Sequence, residues 1–166
     1  MAARSSTPER RRLALALACV ACGLPRDPER TADRVDAQGL RVGVVLAAPW
    51  ACERDGRPLA GTEVALVRQL AAGRGADVSF ETGGETRLLA ALRRFEFDLV
   101  IGGLVDPSPY ADIVGFTRPY HRDADGEHVF AVPPGENAWT MQVEAFLAGV
   151  DVDGAVARGA AECGGR

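Results

Sequence analysis

Residues suited to binding a small ligand follow three predicted strands of the chain. Trp50 lies after the first strand, Glu85 lies after the second, and Gly102, Gly103 and Tyr110 lie after the third. An indole ring can stack on a ligand, a carboxylate can accept hydrogen bonds from a cationic group, and glycines permit close approach of the backbone. These residue types indicate binding rather than catalysis.

Each of these candidates also has a structural interpretation, which the sequence leaves open. Trp50 can pack beneath its loop, and Tyr110 can be a half-buried aromatic whose hydroxyl contacts water. Glu85 suits the positive end of a helix dipole, and the pair Gly102-Gly103 can simply allow a tight exit from a strand. Glu63, near the start of another predicted helix, is interpreted as structural.

No catalytic residue, cofactor or metal site is predicted. The Ser, His and Asp residues show no triad-like arrangement, and the chain has no phosphate-binding loop. His121 and His128 have no metal-like spacing to a cysteine. The segment 123–127 superficially resembles a calcium loop, but it lacks the later bidentate acid, which favours a solvated turn. We therefore expect a non-enzymatic protein.

Runs of β-branched and alternating residues predict the elements that position these loops. Strands are expected at 41–46, 77–81 and 98–102, separated by two amphipathic helices. This alternation predicts a parallel α/β sheet with right-handed crossovers. A further strand at 128–132 is expected to join the same sheet in the opposite direction. Ligands bind outside the carboxyl ends of strands in such sheets, so the three loops should converge.

The first 21 residues are typical of an export signal. Four arginines precede the apolar run Leu13–Ala21, which is too short to span a bilayer. Small residues lead into Cys22, as at a bacterial lipoprotein processing site, so we expect cleavage after residue 21 and lipidation of Cys22. Residues 22–39 are predicted to be a polar tether and 40–149 the folded body. The Ala- and Gly-rich residues 150–166 are predicted to be a disordered tail.

Length and charge narrow the classes of function. The chain has 166 residues, room for one domain, and a formal net charge of −4. Its arginines are not clustered beyond the first dozen positions, which argues against nucleic-acid binding. An acidic body gains nothing from anionic lipid, so membrane contact is expected only through a lipid anchor. Cys52 and Cys163 remain after processing, either as a disulfide or as two free thiols.

Four stretches carry a family resemblance: Leu40–Trp50, Leu59–Leu66, Leu88–Leu104 and Val114–Tyr120. In order and spacing they resemble the family 3 periplasmic solute-binding proteins, the receptors of ABC importers for amino acids and similar solutes. The resemblance implies an α/β fold of the type II periplasmic-binding-protein class, with a mixed, mostly parallel sheet flanked by helices. It also implies a periplasmic or outer-surface location, a small polar, amino-acid-like solute, and an ABC permease or another envelope protein as partner.

The sequence departs from the family pattern in its length and in its site. Only residues 121–127 lie between the outgoing and returning segments, too few for a second lobe. The family's carboxylate-pairing arginine falls at Tyr110, and a phenol cannot replace a bidentate guanidinium. The family's small hydroxyl residues fall at Gly102, Gly103 and Val105, and Glu85 occupies a ligand-contact position. We therefore expect a single lobe with a non-standard or weak site. Its predicted ligand contacts are Trp50, Glu85, Gly102, Gly103, Val105 and Tyr110.

Two hypotheses of function follow. The first is a solute-binding module of an importer. The alternative is an envelope lipoprotein whose exposed cleft face, with Tyr110 and Trp50, binds another protein or a second copy of itself. Some relatives of this fold are dehydratases, but no candidate acid–base pair stands in the loops of this chain.

Overall fold

The computed structural model describes residues 27–53 and 57–164. The predicted signal peptide and the predicted lipidation site at Cys22 lie outside these residues. The helices are α1 Thr31–Gln38, α2 Thr62–Arg74, α3 Glu85–Arg93, α4 Asn137–Gly149 and α5 Val152–Gly164. The strands are β1 Leu40–Val44, β2 Val78–Thr82, β3 Leu99–Ile101, β4 Val105–Asp106, β5 Gly115–Phe116, β6 His121–Arg122, β7 Glu127–His128 and β8 Ala131–Val132. Within the described ranges, no helix has the length and apolar character needed to cross a membrane.

The main sheet has five strands in the order β2-β1-β3-β8-β5. Strand β1 pairs in parallel with both β2 and β3, as predicted, and β8 pairs antiparallel with β3. The expectation of one strand over 128–132 needs correction. Residues 127–128 belong to a separate three-stranded sheet, β4-β7-β6, and only 131–132 join the main sheet. Two short pairings replace one longer strand because the chain passes from one sheet to the other between them.

Helices cover both faces of the main sheet, so its inner strands β1, β3 and β8 are buried on both sides, whereas the edge strand β2 is largely exposed. On one face Val42, Val44, Leu99 and Ile101 pack against α1, α2, α4 and α5. On the other face Val100 and Ala131 pack against the apolar side of α3. This three-layer arrangement explains why the apolar run of β3 is continuous, whereas the sequence of the edge strand β2 alternates.

The predicted tether at 22–39 is wrong for its second half, which forms α1. Thr31, Ala32 and Val35 of this helix are buried. The carboxylate of Glu136, just before α4, accepts hydrogen bonds from the backbone N–H groups of Glu29 and Thr31, each at 2.9 Å. A buried carboxylate therefore satisfies the free N–H groups at the helix start. The sequence of this segment is polar because hydrogen bonds, rather than apolar contacts alone, attach it to the body.

The predicted disordered tail is also wrong, because residues 152–164 form α5. A side chain at Gly159 would collide with Thr62 of α2 and with the carbonyl oxygen of Pro49. Small residues thus let α5 approach α2 closely, although the helix has no broad apolar face. A disulfide between Cys52 and Cys163, with an S–S distance of 2.07 Å, fixes its end. The pairing that the sequence left open is therefore present.

Candidate functional site

The loops after β1 and β3 meet where the parallel strands end, which we call the carboxyl edge. Gly102 and Gly103 have φ angles of 127° and 72°, which favour glycine. A Cβ on Gly103 would lie 2.5 Å from the Trp50 ring, and a Cβ on Gly102 would collide with the carbonyl of Val45. The two glycines are therefore required by the contact between these loops.

A hydrogen bond joins the other pair of loops at this edge. The hydroxyls of Thr86, in the first turn of α3, and Tyr110 lie 2.8 Å apart. Glu85 is the first residue of α3 and is half-buried, as is Tyr110. The first turn of α3 and the loop after β3 therefore bring two linked hydroxyls to this edge, and Glu85 precedes Thr86 in the chain. Leu46, at the end of β1, leaves 49 % of its surface exposed.

Trp50 is placed in the interior rather than open to a ligand. It is 4 % exposed, and its ring centroid lies 3.9 Å from that of His128. His121 and Tyr120 are the next rings around it, at 5.6 and 6.3 Å. The expected stacking of a solute on Trp50 is therefore corrected, because protein rings already occupy its surroundings. The packing interpretation fits this residue.

A buried carboxylate that sequence reasoning assigned a minor structural role holds the loop after β3. Glu63, in the first turn of α2, accepts hydrogen bonds from the N–H of Gly102 at 2.5 Å and of Gly103 at 3.2 Å. It also accepts one from the hydroxyl of Tyr120 at 2.5 Å. The amides of both glycines therefore point at Glu63, so in this conformation they are not available to a solute.

Burial governs the ionisation of Glu63 and Tyr120. Burial raises the pKa of the Glu63 carboxyl above its ordinary value, although the hydrogen bonds from Tyr120, Gly102 and Gly103 act in the opposite direction. Burial also raises the pKa of the Tyr120 hydroxyl, and the neighbouring Glu63 charge adds to that effect. Tyr120 is thus a neutral donor to the Glu63 carboxyl group.

Val105, the last of the predicted ligand contacts, lies in β4 and pairs with His128 of β7. It belongs to the small sheet formed by β4 and the hairpin β6–β7, residues 121–128. The segment expected to be a solvated turn closes this hairpin. There the Asp123 carboxylate accepts hydrogen bonds from the N–H groups of Asp125 and Gly126, at 2.8 and 3.3 Å.

Two cavities border this part of the molecule, and neither is lined by a predicted ligand contact. A cavity of about 460 Å³ runs beside β5 and is bordered by Asp106, Phe116 and Arg118, and another of about 290 Å³ lies between Tyr120 and α4. Arg118 and Glu144 border both and form an ion pair at 2.8 Å. The predicted contacts therefore form an open edge rather than an enclosed pocket.

The sequence profile of the bacterial extracellular solute-binding proteins, family 3, matches residues 40–162. The chain belongs to this family. The match extends into α5, which agrees with the corrected C-terminal boundary. Family 3 proteins are extracellular solute-binding proteins, so the chain is an extracytoplasmic protein of the solute-binding type, in a family that is generally non-enzymatic. A comparison with curated protein sequences finds no match.

Solved structures of amino-acid-binding proteins share the fold at low sequence identity. Domain 1 from TmArgBP, in an arginine-bound form, is 19 % identical, with a TM-score of 0.66, covering 71 % of this chain and 98 % of that one. An ancestral cationic amino acid solute binding protein is 15 % identical, with a TM-score of 0.68 and coverages of 80 % and 99 %. A Salmonella typhimurium periplasmic binding protein of high arginine specificity is 14 % identical, with a TM-score of 0.61 and coverages of 75 % and 98 %. The expected single-lobe α/β fold is confirmed.

Proposed function

We propose that this family 3 lobe binds a small amino-acid-like solute with a cationic group at the carboxyl edge. The observation that carries the proposal is the hydrogen bond between the hydroxyls of Thr86 and Tyr110, at the point where Glu85 begins α3. Among the described residues Glu85 has no ion-pair partner, so its charge can accept hydrogen bonds from an ammonium or guanidinium group. The net charge of −4 favours approach of a cation.

The relatives support this choice of solute and of scaffold. Domain 1 from TmArgBP is described in an arginine-bound form, so in that protein one lobe is seen with a solute. The ancestral relative is described as binding cationic amino acids, and the Salmonella protein as specific for arginine. A single lobe with an acidic edge is consistent with the same class of solute here.

We expect this binding to be weak, with a dissociation constant above about 100 µM. An open edge leaves one side of the solute in water, where a hydrogen bond contributes only about 0.5–1.5 kcal/mol. Tyr110 supplies no charge for an α-carboxylate, and the Gly102 and Gly103 amides are held by Glu63. Immobilising the solute costs at least about 4 kcal/mol, which these few contacts barely offset.

Calorimetry on the purified protein tests this function, with arginine, lysine, glutamine and glutamate as solutes. Arginine or lysine should give weak saturable heats that Glu85→Gln removes, and glutamate should give none. Glu29→Gln is the matched control, because it removes the same charge at an exposed position in the N-terminal part of the body. Binding of glutamate, or unchanged arginine binding in Glu85→Gln, would contradict the proposed site. Micromolar binding would contradict the proposed weakness.

We also propose that Cys22 carries the lipid that anchors the protein, after removal of residues 1–21, and that an ABC permease receives the solute. The small residues before Cys22 and the apolar run Leu13–Ala21 support the anchor. Changing Cys22 to Ala should move the protein from the membrane fraction to the soluble extracytoplasmic fraction. A wild-type protein recovered without any lipid would contradict the anchor and leave the solute site untouched.

A further inference from the structure

The hairpin β6–β7 covers Trp50 with two histidines. His121 and His128 are direct partners across the two strands, and their ring centroids lie 6.0 Å apart. His128 is 1 % exposed and stacks on Trp50, which in turn contacts Gly103. A continuous line of contacts therefore runs from the hairpin through Trp50 to the loop after β3.

Carboxylates face this pair of histidines from three elements. The Nε2 atom of His128 lies 2.9 Å from Oδ1 of Asp123, in the turn of the hairpin itself. The Nδ1 atom of His121 lies 3.6 Å from Oδ1 of Asp153, which belongs to α5. From α2, Glu63 is close enough to His128 for their charges to interact. Tyr120 is the remaining titratable group at the stack.

The contact between His128 and Asp123 joins an imidazole and a carboxylate at ion-pair distance. Neither ring nitrogen of His128 makes a well-formed hydrogen bond to a described residue, although Asp123 is within ion-pair distance. Arg122 and Glu127 pair with each other next to these residues in the two strands, and therefore on the opposite face of the hairpin. Attraction between the two side chains is strongest when an imidazolium faces the carboxylate, because a hydrogen bond between charged groups is stronger than one from a neutral ring. Histidine side chains gain or lose their proton between about pH 5 and pH 8.

We propose that His128 is a positioning residue: its protonated ring, paired with Asp123, holds the hairpin closed on Trp50 and thereby fixes the Gly102–Gly103 loop. Loss of the proton removes the ion pair, and the hairpin then opens more often. This role of His128 rests on the proposed function in one respect only, namely that the Gly102–Gly103 loop belongs to the proposed solute site. It is tested on protein without solute, so a failure to bind solutes leaves the result interpretable.

The fluorescence of Trp50 reports the state of His128. The chain has two tryptophans, and the variant Trp50→Phe gives the signal of Trp139 alone for subtraction. An imidazolium quenches a stacked indole more strongly than a neutral imidazole does. The Trp50 emission should therefore rise between about pH 5 and about pH 8 in the wild type and in His121→Gln. It should stay constant in His128→Gln.

Substitutions in the hairpin turn attribute the transition to the ion pair. Asp123→Asn should move its midpoint to lower pH, by about one pH unit, because the imidazolium loses a neighbouring anion. Asp125→Asn is the matched control: it neutralises an exposed carboxylate in the same turn and should leave the midpoint unchanged. These two surface variants keep the proposal testable if His128→Gln does not fold.

Hydrogen exchange measures the consequence for the loop. After correction for intrinsic exchange rates, the Gly102 and Gly103 amides should be roughly three- to tenfold better protected at the low-pH end of the fluorescence transition than at its high-pH end. This is the difference expected when one partly exposed charged contact is lost. Asp123→Asn should remove this difference, and Asp125→Asn should retain it. A fluorescence transition that persists in His128→Gln, equal midpoints in the two turn variants, or equal protection at both pH values would overturn the proposal.

Discussion

Replacing Glu63 tests whether one buried carboxylate organises the loop at the carboxyl edge. Glu63→Ala leaves three donors without their acceptor: the N–H groups of Gly102 and Gly103 and the hydroxyl of Tyr120. Each unsatisfied buried donor costs about 1–3 kcal/mol, and water can reach part of this set. We therefore expect a loss of about 3–5 kcal/mol in the free energy of unfolding, most of the stability of many small domains.

Glu63→Gln separates hydrogen bonding from charge. The amide keeps one acceptor oxygen but turns an NH2 group toward one of the donors, so the loss should be about 1–3 kcal/mol. The size of this loss in the free energy of unfolding should change with pH. Because burial raises the pKa of Glu63 above its ordinary value of 4.5, the folded state binds the proton more tightly than the unfolded state. The stabilisation from that proton is complete below the ordinary pKa and is lost as pH rises through the raised pKa.

The stability gap between the wild type and Glu63→Gln should therefore shrink as pH rises from 4.5 toward neutrality. Chemical denaturation followed by circular dichroism measures the gap at each pH. Glu85→Gln is the control, since it removes a half-buried carboxylate from the first turn of the next helix. A gap that widens with pH would refute the argument, because it would mean that folding lowers the pKa of Glu63. A free energy of unfolding of Glu63→Ala within about 1 kcal/mol of the wild-type value would also refute the argument.

Two further predictions concern the corrected termini of the fold. Reduction of the disulfide, or substitution of both Cys52 and Cys163 by Ser, should lower the free energy of unfolding by about 2–5 kcal/mol, because the bond joins positions 111 residues apart. In thermal melting, adding reductant should lower the melting temperature of the wild type and leave that of the double variant unchanged. Asp98→Ala should lower the free energy of unfolding by about 3–5 kcal/mol, because this fully buried carboxylate pairs with Arg34 and Arg41. Asp33→Asn, which removes an exposed ion pair, should lower it by less than about 1 kcal/mol. Denaturant titration compares these two variants.

The main sheet could be predicted because its information is local. The runs around Val42, Val78 and Val100 contain the β-branched residues of buried strands, and their spacing leaves room for one helix between each pair. The rule that ligands bind at the carboxyl ends of strands then correctly placed the loops of Trp50, Gly103 and Tyr110 together. Periodicity and topology alone were sufficient for this part.

The two terminal helices could not be predicted, because distant residues determine them. The polar segment around Thr31 is helical through Glu136, more than 100 positions away, and through the pairing of Arg34 with Asp98. The helix around Gly159 depends on closeness to α2 and on a disulfide rather than on an apolar face. Hydrophobic patterns do not record such contacts.

The same limitation applies to Trp50 and Glu63 at the candidate site. Trp50 was a candidate ligand contact because it follows a strand, with packing beneath its loop as the alternative, and the ring that covers it belongs to the distant His128. Glu63 resembled an ordinary acid at a helix start, a position where the dipole alone is sufficient explanation. Its partners lie 39 to 57 residues further along the chain. An acid directly after a helix-starting Gly-Thr is a weak signal that only the fold makes specific.

Restoring the family's arginine tests the proposed site by a gain of binding. Tyr110 stands where the family resemblance places the residue that pairs with a solute carboxylate, and its hydroxyl lies 2.8 Å from that of Thr86, beside Glu85. An arginine at this position offers two parallel N–H donors to a carboxylate, and a hydrogen bond to a charged group contributes about 1.5–3 kcal/mol.

Because the edge is open to water, we expect the lower end of this range, about a tenfold increase in affinity for arginine in Tyr110→Arg. The increase should be absent for agmatine, which lacks the carboxylate. Tyr110→Gln, which adds no charge, should not strengthen binding, and Tyr110→Lys should strengthen it less than arginine does, because a point charge cannot pair in two places. Equal gains for arginine and agmatine would show that the new charge acts elsewhere. An unchanged affinity for both would show that the solute carboxylate never approaches residue 110, and the edge formed by Glu85, Thr86 and Tyr110 would then not be the binding site.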